Sequence, residues 1–162
     1  MSKVVIIGGG HAGANTAFAL RKDGFKGEIN ILCDESYLPY HRPPLSKDFL
    51  KQKVQEDKLS FKQAEFYNDQ TISVHLNTRV NSIDLESNTV GSDDASFDFD
   101  YLVFATGSAP RLLSMENADA KNLFYLRKIS DVLSLQKFTT TGKKIVLIGG
   151  GYIGLEVASA MI

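Results

Sequence analysis

The chain has 162 residues, 43% hydrophobic and 23% charged, with a formal net charge of −1. That allows roughly one domain of ordinary globular composition, with no basic excess for nucleic acid and no acidic run that would stay disordered. Its apolar runs, such as residues 4–7 and 145–148, fall far short of the roughly 18 residues of a membrane span, and no signal-peptide pattern opens the chain, so a cytoplasmic protein is expected.

Residues 4–7 (VVII) are a short apolar run stopped by glycines, the pattern of a strand buried on both faces of a parallel sheet. An Ala-rich helix is expected from 12 to 22, with Gly24 as its stop, and a second strand over 28–33. Strand, helix and strand within about thirty residues make the unit of a parallel sheet. The lone cysteine, Cys33, has no partner for a disulfide or a CxxC pair and reads as a small buried strand residue.

Residues 34–50, DESYLPYHRPPLSKDFL, are stiffened by Pro43 and Pro44, which fix their own backbone and extend the residue before them. Pro44 can open a short helix with Leu45, Phe49 and Leu50 facing inward and Lys47 pointing elsewhere. Farther on, residues 71–76 (TISVHL), 79–84 (RVNSID) and 97–101 (FDFDY) suggest a small antiparallel meander. An apolar strand then ends in the glycine of ATG at Ala105, Thr106 and Gly107. Ser130 is expected to cap a helix running to about Gln136, and residues 139–144 to turn into a second buried strand at 145–148.

That second strand opens a repeat. SKVVIIGGGHAGANTAFAL at the start returns as KIVLIGGGYIGLEVASAMI at the end. In the first copy Gly8 permits the tight turn, Gly10 lets backbone approach a pyrophosphate, and Gly13 lets helix and sheet pack closely. His11 and Ala12 contribute mainly backbone, and the helix N-terminus offers free N–H groups to phosphate. Asp34 or Glu35, about twenty residues on, suits an adenosine ribose; the pattern does not separate the two. Gly149, Gly151 and Gly154 are the second set, whose acidic partner would lie beyond Ile162. A proline shelf at Pro43 beside Arg42 and Lys47 suits a flat, electron-rich ring carrying phosphates, although a stiffened surface loop with solvated charges has the same composition.

GGGHAG, LPYHRPPLSK, ATG followed by Pro110 and Arg111, and GGGYIGLE occur in that order. Together they resemble the N-terminal part of the FAD-dependent ferredoxin and rubredoxin reductases of oxygenase systems, relatives of the apoptosis-inducing factors and, more distantly, of glutathione reductase. The likeness covers essentially the whole chain, and RPPLSK is its specific part. It implies an α/β fold: a three-layer, Rossmann-like FAD-binding domain with a small meander over 1–111, a connecting segment with a short helix over 112–143, and the start of an NAD(P)H-binding domain over 144–162. It also implies that Gly8, Gly10 and Gly13 hold the FAD pyrophosphate and that Arg42 lies by the AMP half. Lys47 would lie near the flavin, where it stabilises developing negative charge. Val80 would offer backbone to adenine, and Ala105, Thr106 and Gly107 would close over the cofactor.

The activity so implied passes electrons from NAD(P)H through FAD to an iron–sulfur ferredoxin or rubredoxin, with no protein acid or base and no metal. His41 and His75 then read as structural or surface residues. The cysteine pair of the glutathione-reductase branch is missing, since SYLPYHRPPLSK stands in its place. Two other readings stand beside this one: a non-catalytic FAD- or adenine-nucleotide-binding piece, and an oxidoreductase of the apoptosis-inducing-factor type. The 162 residues alone are expected not to turn over NAD(P)H, and to self-associate through an apolar C-terminal helix with little to pack on.

Overall fold

The computed structural model describes residues 1–116, 120–139 and 142–162, which form two compact units. The first comprises residues 1–41 and 60–107, the second residues 42–59 and 108–162.

In the first unit β1 (Lys3–Ile7), α1 (His11–Lys22) and β2 (Glu28–Leu32) follow the expected order. A short helix, α2 (Ala64–Asp69), leads into β3 (Ile72–His75). The meander is β4 (Val80–Asp84), β5 (Thr89–Ser92) and β6 (Ser96–Asp98), and β7 (Tyr101–Phe104) returns to the main sheet. That sheet is wholly parallel, in the order β3-β2-β1-β7, and β4-β5-β6 is antiparallel.

Alternation through the pleat sorts the side chains into two cores. Val4, Ile6, Ile29 and Ile31 meet Ala17, Phe18 and Tyr67 from the helices. Val5, Ile7 and Leu32 meet Val90, Phe97 and Phe99 from the meander side. The unit is therefore a three-layer α/β structure: helices, parallel sheet and meander. Arg21 fastens the helical side: its guanidinium donates to the carbonyls of Phe25, Gly27, Gln70 and Thr71 at 2.7–2.9 Å.

Two strand expectations change. Residues 72–75 join the parallel sheet beside β2 rather than the meander. They alternate because β3 is an edge strand, with Ile72 buried and Ser73 exposed. Residues 145–148 form no strand and are exposed, Val146 at 85%. An apolar run becomes a strand only where a neighbour completes its ladder.

The second unit holds the 3₁₀ turn Pro43–Ser46, a second such turn at Glu56–Lys58, α3 (Ile129–Phe138) and α4 (Tyr152–Met161). Leu45, Phe49 and Leu50 are buried, as the proline segment predicts, and both helices pack on its 3₁₀ turn. Ser130 does not cap α3. The N-cap is Lys128, two residues earlier, and the Asp131 carboxylate accepts the N–H groups of Arg127 and Lys128 at 2.8 and 2.7 Å. Leu155, Val157 and Met161 of the apolar C-terminal helix are expected to have little to pack on; in α4 Leu155 is exposed, whereas Val157 is buried. The turn expected at 139–144 includes residues 140 and 141, which lie outside the described residues.

Candidate functional site

The first glycine loop is shaped by where a side chain would not fit. Gly8 has φ +114°, and a Cβ there would strike the Ala105 carbonyl. One on Gly13 would strike the Gly8 carbonyl, and one on Gly9 the Cys33 sulfur. Gly10 alone faces open space. It is the N-cap of α1, with no side-chain cap and no acidic residue in the first turn, while Arg21 and Lys22 occupy the last. A 12-residue helix thus presents its uncapped N–H groups to an open cradle, an arrangement that suits a pyrophosphate.

The other first-unit candidates surround this loop or the ends of its strands. Ala105 donates its N–H to Ile7 at 2.8 Å, which brings the ATG turn against Gly8, and Gly107 takes φ +69°. Asp34 is exposed just past β2, whereas the Glu35 carboxylate accepts the Tyr40 hydroxyl at 2.7 Å. His11 is edge-on to Phe61 at 4.8 Å and to His41 at 5.8 Å. Val80 opens β4 and packs on the core between sheet and meander. Burial pushes the Cys33 thiol up to about 12, with help from Asp34 and Glu35, so it stays protonated and packs. His75 belongs to a structural chain, bonded to Asn30 at 2.7 Å, with Asn30 donating to Glu28. A cleft of about 490 Å³ between α2 and β3, lined by Leu38, Tyr67, Asn68 and Val74 among others, contains none of the candidate residues.

In the second unit Arg42 donates to the Arg127 carbonyl at 2.8 Å, next to Pro43 in the 3₁₀ turn. Lys47 is half-exposed and pairs with Glu156 Oε1 at 2.9 Å, and it reaches the Pro43 carbonyl at 3.3 Å. Ser46 Oγ donates to the other oxygen of Glu156 at 2.5 Å. These contacts hold the Glu156 carboxyl below the usual glutamate range, the Ser46 hydrogen bond first and Lys47 second. Sequence reasoning passed over Glu156. It lies two residues past the last glycine of the second loop, and its signals were its place at the end of GGGYIGLE and a charge opposite to that of Lys47.

The second glycine loop repeats the first in shape. Gly151 caps α4 with φ −75° and ψ 171°, against −79° and −170° for Gly10. Gly149 has φ +107°, and a Cβ on Gly154 would crowd the Gly149 carbonyl as one on Gly13 would crowd Gly8. Gly151, like Gly10, faces open space. The match is of backbone: Gly149 and Gly150 face open space where Gly8 and Gly9 are closely packed, and residues 145–148, which precede the second loop, form no strand.

The chain is similar to known proteins over nearly its whole length. The chain is 44% identical over 161 residues to the ferredoxin–NAD(+) reductase component of the p-cumate 2,3-dioxygenase system of Pseudomonas putida, covering 99% of the chain and 40% of that protein. It is 41% identical over 160 residues to a rubredoxin–NAD(+) reductase of Pseudomonas putida, covering 98% and 42%. The crystal structure of the ferredoxin reductase for the CYP199A2 system of Rhodopseudomonas palustris superposes with a TM-score of 0.94 at 37% identity, over 99% of this chain and 40% of that one. The chain thus spans about two fifths of the length of these relatives. The model of the pyridine nucleotide-disulphide oxidoreductases matches residues 2–162, and the chain belongs to that family.

Proposed function

We propose that this chain is the N-terminal part of a flavoprotein reductase that takes electrons from NAD(P)H and passes them through FAD to a ferredoxin or rubredoxin. The observation that carries the reading is the pair of glycine turns, each opening an uncapped helix toward open space. The first binds FAD and the second opens the NAD(P)H domain, which gives domains of 1–111 and 144–162 joined by 112–143. The setting is the cytoplasm, where nicotinamide nucleotides are available.

When bound, the flavin supplies the step from two-electron hydride chemistry to single electrons. The protein's work is holding and orienting. Gly8, Gly10 and Gly13, with the N–H groups of His11 and Ala12, receive the pyrophosphate. Asp34 or Glu35 takes the adenosine ribose: Asp34 is exposed, and the Glu35 carboxylate, which accepts the Tyr40 hydroxyl, keeps acceptor sites for a second donor. Arg42 and Pro43 border the AMP half, Val80 offers backbone to adenine, and residues 105–107 close the loop. Lys47 supplies fixed positive charge where negative charge develops on the ring. Turnover belongs to a protein of the relatives' length, with an iron–sulfur protein as acceptor.

The test is the visible absorption of the purified chain titrated with FAD. A yellow protein with about one FAD per chain is expected. Alanine at whichever of Asp34 and Glu35 holds the ribose weakens binding about tenfold or more, the loss of roughly one charge-assisted hydrogen bond, and alanine at the other weakens it less. A chain that stays colourless in excess FAD, while retaining its folded circular dichroism, overturns FAD binding by these residues.

A further inference from the structure

We propose that Ser46 is a positioning residue for Lys47, acting through Glu156: its buried hydroxyl holds one carboxylate oxygen so that the other sets the place of the ammonium group. The inference rests on the reading that Lys47 serves the flavin.

The Lys47–Glu156 pair would be loose without such a holder. The two side chains are 47% and 33% exposed, and partly exposed ion pairs gain little because two long side chains must be immobilised in high dielectric. Ser46 differs from both. It is 4% exposed, and its backbone lies in the proline-stiffened 3₁₀ turn, so its hydroxyl has few orientations to lose. A hydroxyl donating to a carboxylate forms a short, charge-assisted bond, and 2.5 Å is such a length.

The three groups make a chain of defined direction. Ser46 Oγ donates to Oε2, and Oε1 accepts from Lys47 Nζ. A second Lys47 hydrogen points toward the Pro43 carbonyl of the same turn. An ammonium group has three donors, so the arrangement leaves one direction for a further acceptor and fixes which one it is. The Ser46 bond also draws charge density from the Glu156 carboxylate, so that Glu156 neutralises less of the Lys47 field than an unheld carboxylate would. Ser46 and Lys47 belong to RPPLSK and Glu156 to the second glycine motif, so the serine ties the two motifs together within the second unit.

The experiment compares Ser46→Ala, Ser46→Thr, Lys47→Ala and Glu156→Gln, alone and with Ser46→Ala combined with Glu156→Gln. The first readout needs no flavin: the carboxyl carbon of Glu156 is followed by NMR across acid pH. Ser46→Ala is expected to raise its titration toward that of an ordinary glutamate, and Ser46→Thr, which keeps the hydroxyl, to restore it. An unchanged titration in Ser46→Ala overturns the proposal. The second readout is the ratio of reduced to oxidised flavin in the FAD-loaded protein at fixed poise against a reference dye. Lys47→Ala lowers the ratio about tenfold or more, and Ser46→Ala lowers it about threefold, an effect that disappears in the Glu156→Gln background.

If Lys47→Ala leaves the ratio unmoved, the assignment of Lys47 to the flavin fails, whatever Ser46 does. If Lys47→Ala lowers the ratio and Ser46→Ala does not, or acts equally without the Glu156 charge, the positioning role fails and the assignment stands. Should Ser46→Ala not fold, Ser46→Gly, which also removes the hydroxyl, is read in the same way: a raised Glu156 titration supports the proposal, and an unchanged one overturns it.

Discussion

His75 shows how one side chain acquires a charge state from its neighbours. The Asn30 amide nitrogen donates to Glu28, so its oxygen is left to accept, and His75 Nε2 must carry the proton of their 2.7 Å bond. Burial at the edge of the sheet, only partly opposed by Glu28, lowers the His75 pKa from its ordinary 6.5, while Phe97 of β6 packs edge-on against the ring at 4.7 Å. The folded state therefore prefers neutral histidine. Its contribution is present in full above pH 6.5, the unfolded value, and is lost as pH falls through that value toward the lower folded one. The urea midpoint of the chain is expected to fall between pH 7 and pH 5. His75→Gln, which donates to Asn30 at every pH, should have a visibly flatter profile in that window. An identical slope would show that other groups carry the dependence. The glycines teach the complementary lesson: Gly8 and Gly13 are needed for close approach, whereas Gly10 and Gly151 open on free space.

At the scale of elements, α1 is held by its C-terminal end as much as by its apolar stripe. Arg21 leaves the last turn of the helix and satisfies carbonyls in the α1–β2 connection and in the left-handed turn at Thr71 that enters β3, where φ is +54°. Four backbone acceptors on one planar guanidinium make the residue hard to replace. Arg21→Ala is expected to destabilise the chain by about 2 kcal/mol, and Arg21→Lys to recover less than half, because an ammonium group has fewer donors and no planar fork. Chemical denaturation of the three proteins checks both numbers. α1, β2 and the proline segment were legible because their signals are local: a glycine stop, an apolar alternation, two fixed φ angles. The sheet to which β3 belongs was not, since an edge strand of a parallel sheet and a strand of a meander alternate alike.

For the molecule as a whole, exposed apolar surface is concentrated at residues 145–155. Val146 is 85% exposed, Ile148 66%, Tyr152 88% and Leu155 63%. Contiguous exposure of this kind drives association in water. Sedimentation velocity is expected to show concentration-dependent self-association, weakened about tenfold or more by Val146→Lys with Ile148→Lys. A monodisperse monomer across the same range would show that this surface is too dispersed to associate. Among the described residues no helix is long and apolar enough to cross a membrane.

Short-range pattern was enough to establish the glycine turns, the strand–helix–strand unit, the inward face of the proline segment and the family likeness. The first three depend on residues near one another in sequence, where backbone sterics and side-chain period act directly, and the likeness on the order of such local motifs along the chain. Only the tertiary structure decided that residues 72–75 pair with β2 and that 145–148 form no strand. It also decided that Tyr40 holds Glu35, and that Ser46 and Lys47 share the carboxylate of Glu156. A strand's partners and a carboxylate's hydrogen bonds depend on residues far apart in sequence that folding brings together. Local propensity carries no record of them.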